Sequence, residues 1–234
     1  MLSIIAFVIY ICYNFVDISI KDCIYMKFAD MQTFYSLKML EGNMKEPILY
    51  RITRPVIKIF VNIVFRPKYI GTFNIPSDGK VILAGNHTKF FDPLLIMSST
   101  KRTVHFLAKD ELSKGFIGVI FNSMGIIPVN RRIHDKDALN KAKEFLNNEA
   151  CIGIFPEGTI NKTSDIIMPF KIGAVKMAYD TDSYIVPFTI KGKYKIFNNN
   201  LRIEFLKPYK LKSDDLTLEN AKLMNIVSDN LEKR

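Results

Sequence analysis

Beyond residue 68 the chain alternates short apolar runs with longer amphipathic stretches. Residues 69–72, 81–84, 104–107, 126–129, 151–155 and 184–190 are the apolar runs and read as strands. Between them, residues 93–100, 111–124, 136–148 and 172–180 read as helices. The repeated βα units predict an α/β fold, a mixed, largely parallel sheet flanked by helices. Residues 195–197 and 201–206, on either side of the asparagine-rich turn 198–200, predict a closing hairpin. The cluster Ser213, Asp214 and Asp215 then opens a last amphipathic helix over 216–231.

The N-terminal pattern differs. Residues 2–16 are almost wholly apolar, yet as a helix they would span only about 22 Å against a hydrocarbon core of about 30 Å. Extension to Ile20 reaches spanning length but buries Asp17. With no basic n-region and no small-residue cleavage site, a signal peptide is not expected. The run reads as a membrane-embedded or tilted helix, or alternatively as a buried core helix. If it spans, the lysines from Lys21 onward put the rest of the chain, active site included, on the cytoplasmic side. Over residues 51–66, Arg54, Lys58, Asn62 and Arg66 recur every fourth residue on an otherwise apolar helix. That pattern fits an interfacial helix, and equally a helix packed on the sheet with its charges in water. The chain thus divides into an N-terminal membrane-associated helical region, 1–66, and an α/β domain, 67–234.

Composition narrows the partners. A chain of 234 residues can bury one substantial core, and its net charge of +10 and pI near 9.4 attract polyanions. No zinc-finger spacing, basic-zipper pattern or aromatic RNA-binding strand accompanies the charge, so nucleic acid is not expected. Membrane lipids and phosphorylated substrates remain. Cys12, Cys23 and Cys151 are odd in number and have no metal-ligand spacing, which fits a reducing, cytoplasmic setting.

The polar chemistry gathers over residues 81–93. An apolar strand runs into Gly85 and Asn86, which supply turn chemistry, and Asp92 precedes Pro93 as an N-cap precedes a proline at the first helical position. His87 is thereby held at a strand's C-terminal edge, where open α/β sheets bind ligands. His87 and Asp92 can act as a general base and its orienting carboxylate. No serine or cysteine nucleophile stands beside His87, and Thr88, the next residue, is expected to point elsewhere. His105 and His134 have no third ligand at convincing spacing, so no metal site is expected.

Asn86-His87, four residues and Asp92 resemble the first signature of the glycerolipid acyltransferase family. Three further segments resemble its later blocks in order: residues 125–131, ending at Arg131; Phe155-Pro156-Glu157-Gly158-Thr159; and Ile185-Val186-Pro187-Phe188. The resemblance covers residues 68–190. It implies direct transfer of a fatty acyl group from acyl-CoA or acyl carrier protein, as co-substrate with no other cofactor, to the free hydroxyl of lysophosphatidate in phospholipid biosynthesis. It also implies a phosphate-holding role for Arg131, whose planar donors can bind two oxygens together, and an acceptor site including Asn86, Glu157, Gly158, Thr159 and Lys171. The family usually has arginine after the threonine of its third block, where this chain has Ile160. Lys171, then Lys162, are the expected substitutes. Another acceptor (glycerol 3-phosphate, a lysophospholipid, a lyso-aminolipid) or a non-catalytic, lipid-binding member are the alternatives.

Overall fold

In the computed structural model, residues 47–113, 125–129, 136–197 and 199–233 are described. The apolar run 2–16, Arg131, His134 and most of the helix expected over 111–124 lie outside them. Seven strands form one sheet in the order β1-β7-β6-β2-β5-β3-β4. They are β1 (Lys68–Ile70), β2 (Val81–Gly85), β3 (Val104–Lys109), β4 (Ile127–Val129), β5 (Cys151–Ile154), β6 (Tyr184–Lys191) and β7 (Arg202–Phe205). From β6 to β4 all neighbours are parallel; β7 runs antiparallel to β6, and β1 follows β7 in parallel. The mixed, largely parallel sheet expected from the βα pattern is what forms.

Strand alternation sorts two cores. Val81 and Leu83 of β2 join Phe188, Ile203 and Phe205 on one face, under α1 (Ile48–Val64) and α2 (Asp92–Ser99). Ile82 and Ala84 join the other face, under α3 (Lys136–Asn147), α4 (Gly173–Thr181) and α5 (Leu216–Glu232). Because both faces of β2 are covered, it reads as an unbroken apolar run without alternation. Asp215 caps α5 by accepting from the amides of Thr217 and Leu218, as the capping cluster predicts.

Four expectations are adjusted. The first strand stops at Ile70, because Gly71 at φ 66° turns the chain into a 3-10 turn over Thr72–Asn74, pressed against the Phe205 carbonyl. The final hairpin pairs β7 with β6, while residues 195–197 belong to the connection; there the Phe197 amide donates to the Val64 carbonyl at 2.7 Å. Only a 3-10 turn, Asp110–Ser113, is described at the start of the 111–124 stretch. Asp92 is the first residue of α2, and no side chain caps that helix.

Helix α1 packs one face against the rest of the domain. Tyr50, Thr53, Val61 and Phe65 at its end are buried, the three apolar ones in the core shared with α2 and the sheet, so residues 48–66 are built into the α/β domain. The Arg54 guanidinium donates to the Lys101 carbonyl, which takes it out of the basic stripe. On the outer side Ile59 and Ile63 stand exposed beside Lys58. Among the described residues no helix is long and apolar enough to cross a membrane.

Gly85 is the last residue of β2, paired with Phe188, rather than part of the turn. A Cβ there would lie 2.1 Å from the Phe188 carbonyl oxygen and 2.6 Å from its ring. Gly85→Ala is therefore expected to lower stability by about 1–3 kcal/mol, the usual range for overpacking. A denaturant titration checks this, and an unchanged midpoint contradicts the packing described.

Candidate active site

The chain leaves β2 to form α2 on one face of the sheet and leaves β5 to form α4 on the other. Adjacent parallel strands whose continuations part in this way open a crevice at their C-terminal ends. His87, two residues beyond β2, and Glu157, three beyond β5, meet in that crevice. Neither position is a matter of side-chain choice alone; topology brings the two loops together.

Both backbone polar groups of His87 are held by the β5 loop. Its amide donates to Glu157 Oε1 at 2.7 Å, and its carbonyl accepts from the Asn161 amide at 2.8 Å. The imidazole stacks on Phe155, with ring centroids 4.0 Å apart and planes 15° from parallel. Nδ1 lies 2.8 Å from Asp92 Oδ2. Nε2 is the nitrogen left available, on a side chain 11% exposed. That is the arrangement of a general base: one nitrogen fixed by a carboxylate, the other open to a reacting hydroxyl.

Asp92 is fully buried and accepts five hydrogen bonds. Oδ2 takes His87 Nδ1 and the amides of Thr88 at 2.6 Å and Lys89 at 2.8 Å; Oδ1 takes the Thr88 hydroxyl at 3.0 Å and the Tyr194 hydroxyl at 2.6 Å. These donors take the place of the water that burial removes. The Thr88 hydroxyl, aimed at Asp92, points away from any role as a nucleophile. Cys151 is equally unsuited, since burial pushes its thiol up to about 12.

The remaining expected site residues divide. Asn86 exchanges two hydrogen bonds with the Ile190 backbone, at 3.0 Å and 2.7 Å, so its amide ties β2 to β6 at the site's edge. Glu157 bridges two loops through the amides of His87 and Met168. Burial pushes its carboxyl pKa up, against those two amides, which pull it down. Gly158 adopts φ 74°, closing the turn whose amide donates to the Phe155 carbonyl. Lys171 lies across this turn, so close that a Cβ on Gly158 would come within 2.8 Å of Nζ. Thr159 is exposed and Ile160 half-buried beside it. Arg131 is outside the described residues, so its place relative to His87 is not part of this geometry.

A cleft of about 160 Å³ opens over His87, lined also by Asn86, Thr88, Glu157, Asn161, Thr163, Asp165 and Ile166. Lys171 is not in its wall. His105 takes no part: it is buried with Nδ1 2.9 Å from the Gly125 carbonyl oxygen, and burial lowers its pKa to about 4. Tyr194, by contrast, reaches the dyad without any sequence signal to mark it. It lies 102 positions from Asp92, in a connection flanked by lysines.

Comparison with known proteins places the chain in a family. The acyltransferase family model matches residues 66–191. A 1-acyl-sn-glycerol-3-phosphate acyltransferase from Borreliella burgdorferi is 37% identical over 56% of this chain and 53% of its own length. One from Helicobacter pylori is 30% identical over 64% of this chain and 62% of its own length. The chain thus spans between half and two thirds of these curated relatives. The crystal structure of the 1-acyl-sn-glycerophosphate acyltransferase PlsC from Thermotoga maritima shares the fold, with a TM-score of 0.62, 20% identity and 86% of each chain covered. With the family match extending over more than half of its length and enclosing the His87–Asp92 pair, this chain belongs to the acyltransferase family.

Proposed function

We propose that the protein transfers a fatty acyl group from a thioester, acyl-CoA or acyl carrier protein, to the free hydroxyl of 1-acyl-glycerol 3-phosphate, giving phosphatidic acid. The His87–Asp92 pair at the mouth of the cleft carries this reading. Neutral Nε2 accepts the hydroxyl proton as the oxygen attacks the thioester carbonyl. The tetrahedral intermediate then collapses, breaking the carbon–sulfur bond, and the leaving thiolate takes the proton back from the imidazolium. Asp92 stabilises the imidazolium in between, and the Phe155 face beside it adds a smaller attraction for the cation. No covalent acyl-enzyme is required.

Arg131 and Lys171 are proposed to hold the acceptor's phosphate. Lys171 qualifies because its ammonium lies over the Gly158 turn, next to the position where Ile160 replaces the family's arginine. Ile160 also favours a second reading, in which the acceptor is a different lysolipid or glycerol 3-phosphate. The bilayer is proposed to be met by the outer side of α1 and the connection after β6. Ile63 is 58% exposed and Phe197 63% exposed. Phe197 is tied to the end of α1 through Val64, and the Arg66 guanidinium lies 5.5 Å from its ring centroid. An apolar ridge with basic neighbours fits anionic headgroups above acyl chains.

Four outcomes are expected. His87→Ala should lose roughly 10²-fold to 10⁴-fold in turnover while remaining folded, the range typical of a general base; retained turnover, measured with acyl-CoA and lysophosphatidate in detergent, contradicts the mechanism. Lys171→Ala should raise the acceptor KM roughly 10-fold to 150-fold, as for loss of a charge-assisted hydrogen bond, with the donor KM nearly unchanged. Ile160→Arg should then improve use of lysophosphatidate over bulkier acceptors; if neither substitution changes acceptor kinetics, neither residue reads the headgroup. Reversing Arg51 and Lys58 to glutamate should weaken binding to anionic liposomes in a salt-sensitive manner, each basic residue contributing about 1 kcal/mol. Flotation assays that show unchanged partitioning would leave α1 a purely structural helix.

A further inference from the structure

We propose that Tyr194 is a positioning residue for the acyl transfer, acting through Asp92 to set how the carboxylate meets His87. The proposal rests on the reading of His87 as the general base. Four of the five donors to Asp92 come from its own turn, residues 87–89. Tyr194, in the β6–β7 connection, supplies the fifth, at 2.6 Å. It is thus the one contact among these that ties the carboxylate to a distant part of the fold.

Three of the four local donors converge on Oδ2, the oxygen that faces the imidazole, where His87 Nδ1 shares it with two amides. Oδ1 is held by a threonine hydroxyl at 3.0 Å and by the phenol. Without the phenol the carboxylate could pivot about its Cβ–Cγ bond, and the direction of its bond to Nδ1 would change with it. The phenol also draws negative charge toward Oδ1, which moderates the hold of Oδ2 on the imidazolium proton. Both effects bear on the base rather than on substrate binding.

Tyr194 is itself well fixed. Its ring meets Phe65 at the end of α1 edge-on, 5.2 Å between centroids, and lies 6.0 Å from Phe91 just before Asp92. Burial and the nearby carboxylate push the Tyr194 pKa far above the ordinary phenol range, so it stays protonated and donates. Among the described residues, Glu157 lies below the His87 amide and acts on the pair, and Tyr69, which burial raises to about 12, acts on Tyr194. Neither donates to Asp92.

The sign of the pH effect follows. Removing the phenol leaves more negative charge on Oδ2, so the imidazole keeps its proton to higher pH and the unprotonated base appears later. Tyr194→Phe retains the ring contacts and deletes only the hydroxyl. It is expected to lower kcat roughly 10-fold, near the lower end of what a charge-assisted hydrogen bond provides, with both substrate KM values unchanged. The acid limb of its kcat/KM profile should move to higher pH. In an Asp92→Ala background the same change should add no further loss. The assay is acyl-CoA with lysophosphatidate on the full-length protein in detergent, each variant accompanied by a thermal melt. Unchanged kcat and acid limb, or an equal further loss on Asp92→Ala, would assign Tyr194 to packing alone and overturn the proposal. Wild-type turnover in His87→Ala would instead remove the general-base reading beneath it.

Discussion

A buried carboxylate is the constraint on which the site depends. Asp92 has no exposed surface, and a polar group there is tolerated only while hydrogen bonds replace its water. Five donors do so, and each one fixes something: two amides shape the turn after β2, the threonine hydroxyl is turned inward, the imidazole is oriented, and the β6–β7 connection is tied down. The dyad is therefore a consequence of satisfying one buried carboxyl group. His87 is fixed a second time through its own backbone, between Glu157 and Asn161. A base held at both main chain and side chain needs little reorganisation when a substrate hydroxyl arrives.

The sheet makes this convergence possible. β2 lies between β5 and β6, and all three point their C-terminal ends the same way. The family blocks after β2 and β5 are far apart in sequence, yet the paired register from Val81 with Cys151 to Ala84 with Ile154 brings the loops that follow them side by side. Aromatic rings fill the floor: Phe155 under His87, with Phe106 and Phe188 against it. Gly85 leaves room for the Phe188 ring, so the apolar floor and the polar site share one packing constraint.

What was legible in the sequence was local. The apolar run 81–84, the His–Asp spacing and the alternating βα pattern led to the strand, the sheet edge and the His87–Asp92 contact that the structure contains. Asp92 before Pro93 looked like a helix cap as well as the partner of His87, and the pattern gave no hint that two amides and a hydroxyl of the 87–89 loop would join the imidazole on its carboxylate in place of the helix's own amides. Asn86 was visible as a site residue but not as a brace, and the loop brace expected of Glu157 could not be given its partners, because Ile190 and Met168 offer only backbone groups that no side-chain pattern can mark. Tyr194 was invisible for a related reason. Its partner lies on another element, and a tyrosine between lysines in a connection is ordinary composition.

Direct transfer by a base that never becomes acylated is the centre of this account, and the release of free thiol tests it most directly. The purified protein in detergent would be given acyl-CoA, or acyl carrier protein loaded with the same chain, with and without lysophosphatidate. Thiol release, mass spectrometry of the protein and the lipid product would be followed together. The account predicts that thiol appears only when lysophosphatidate is present, in step with phosphatidic acid, and that the protein's mass does not change. Thiol released without an acceptor alongside an acylated protein, or no release with either thioester when lysophosphatidate is supplied, would contradict it.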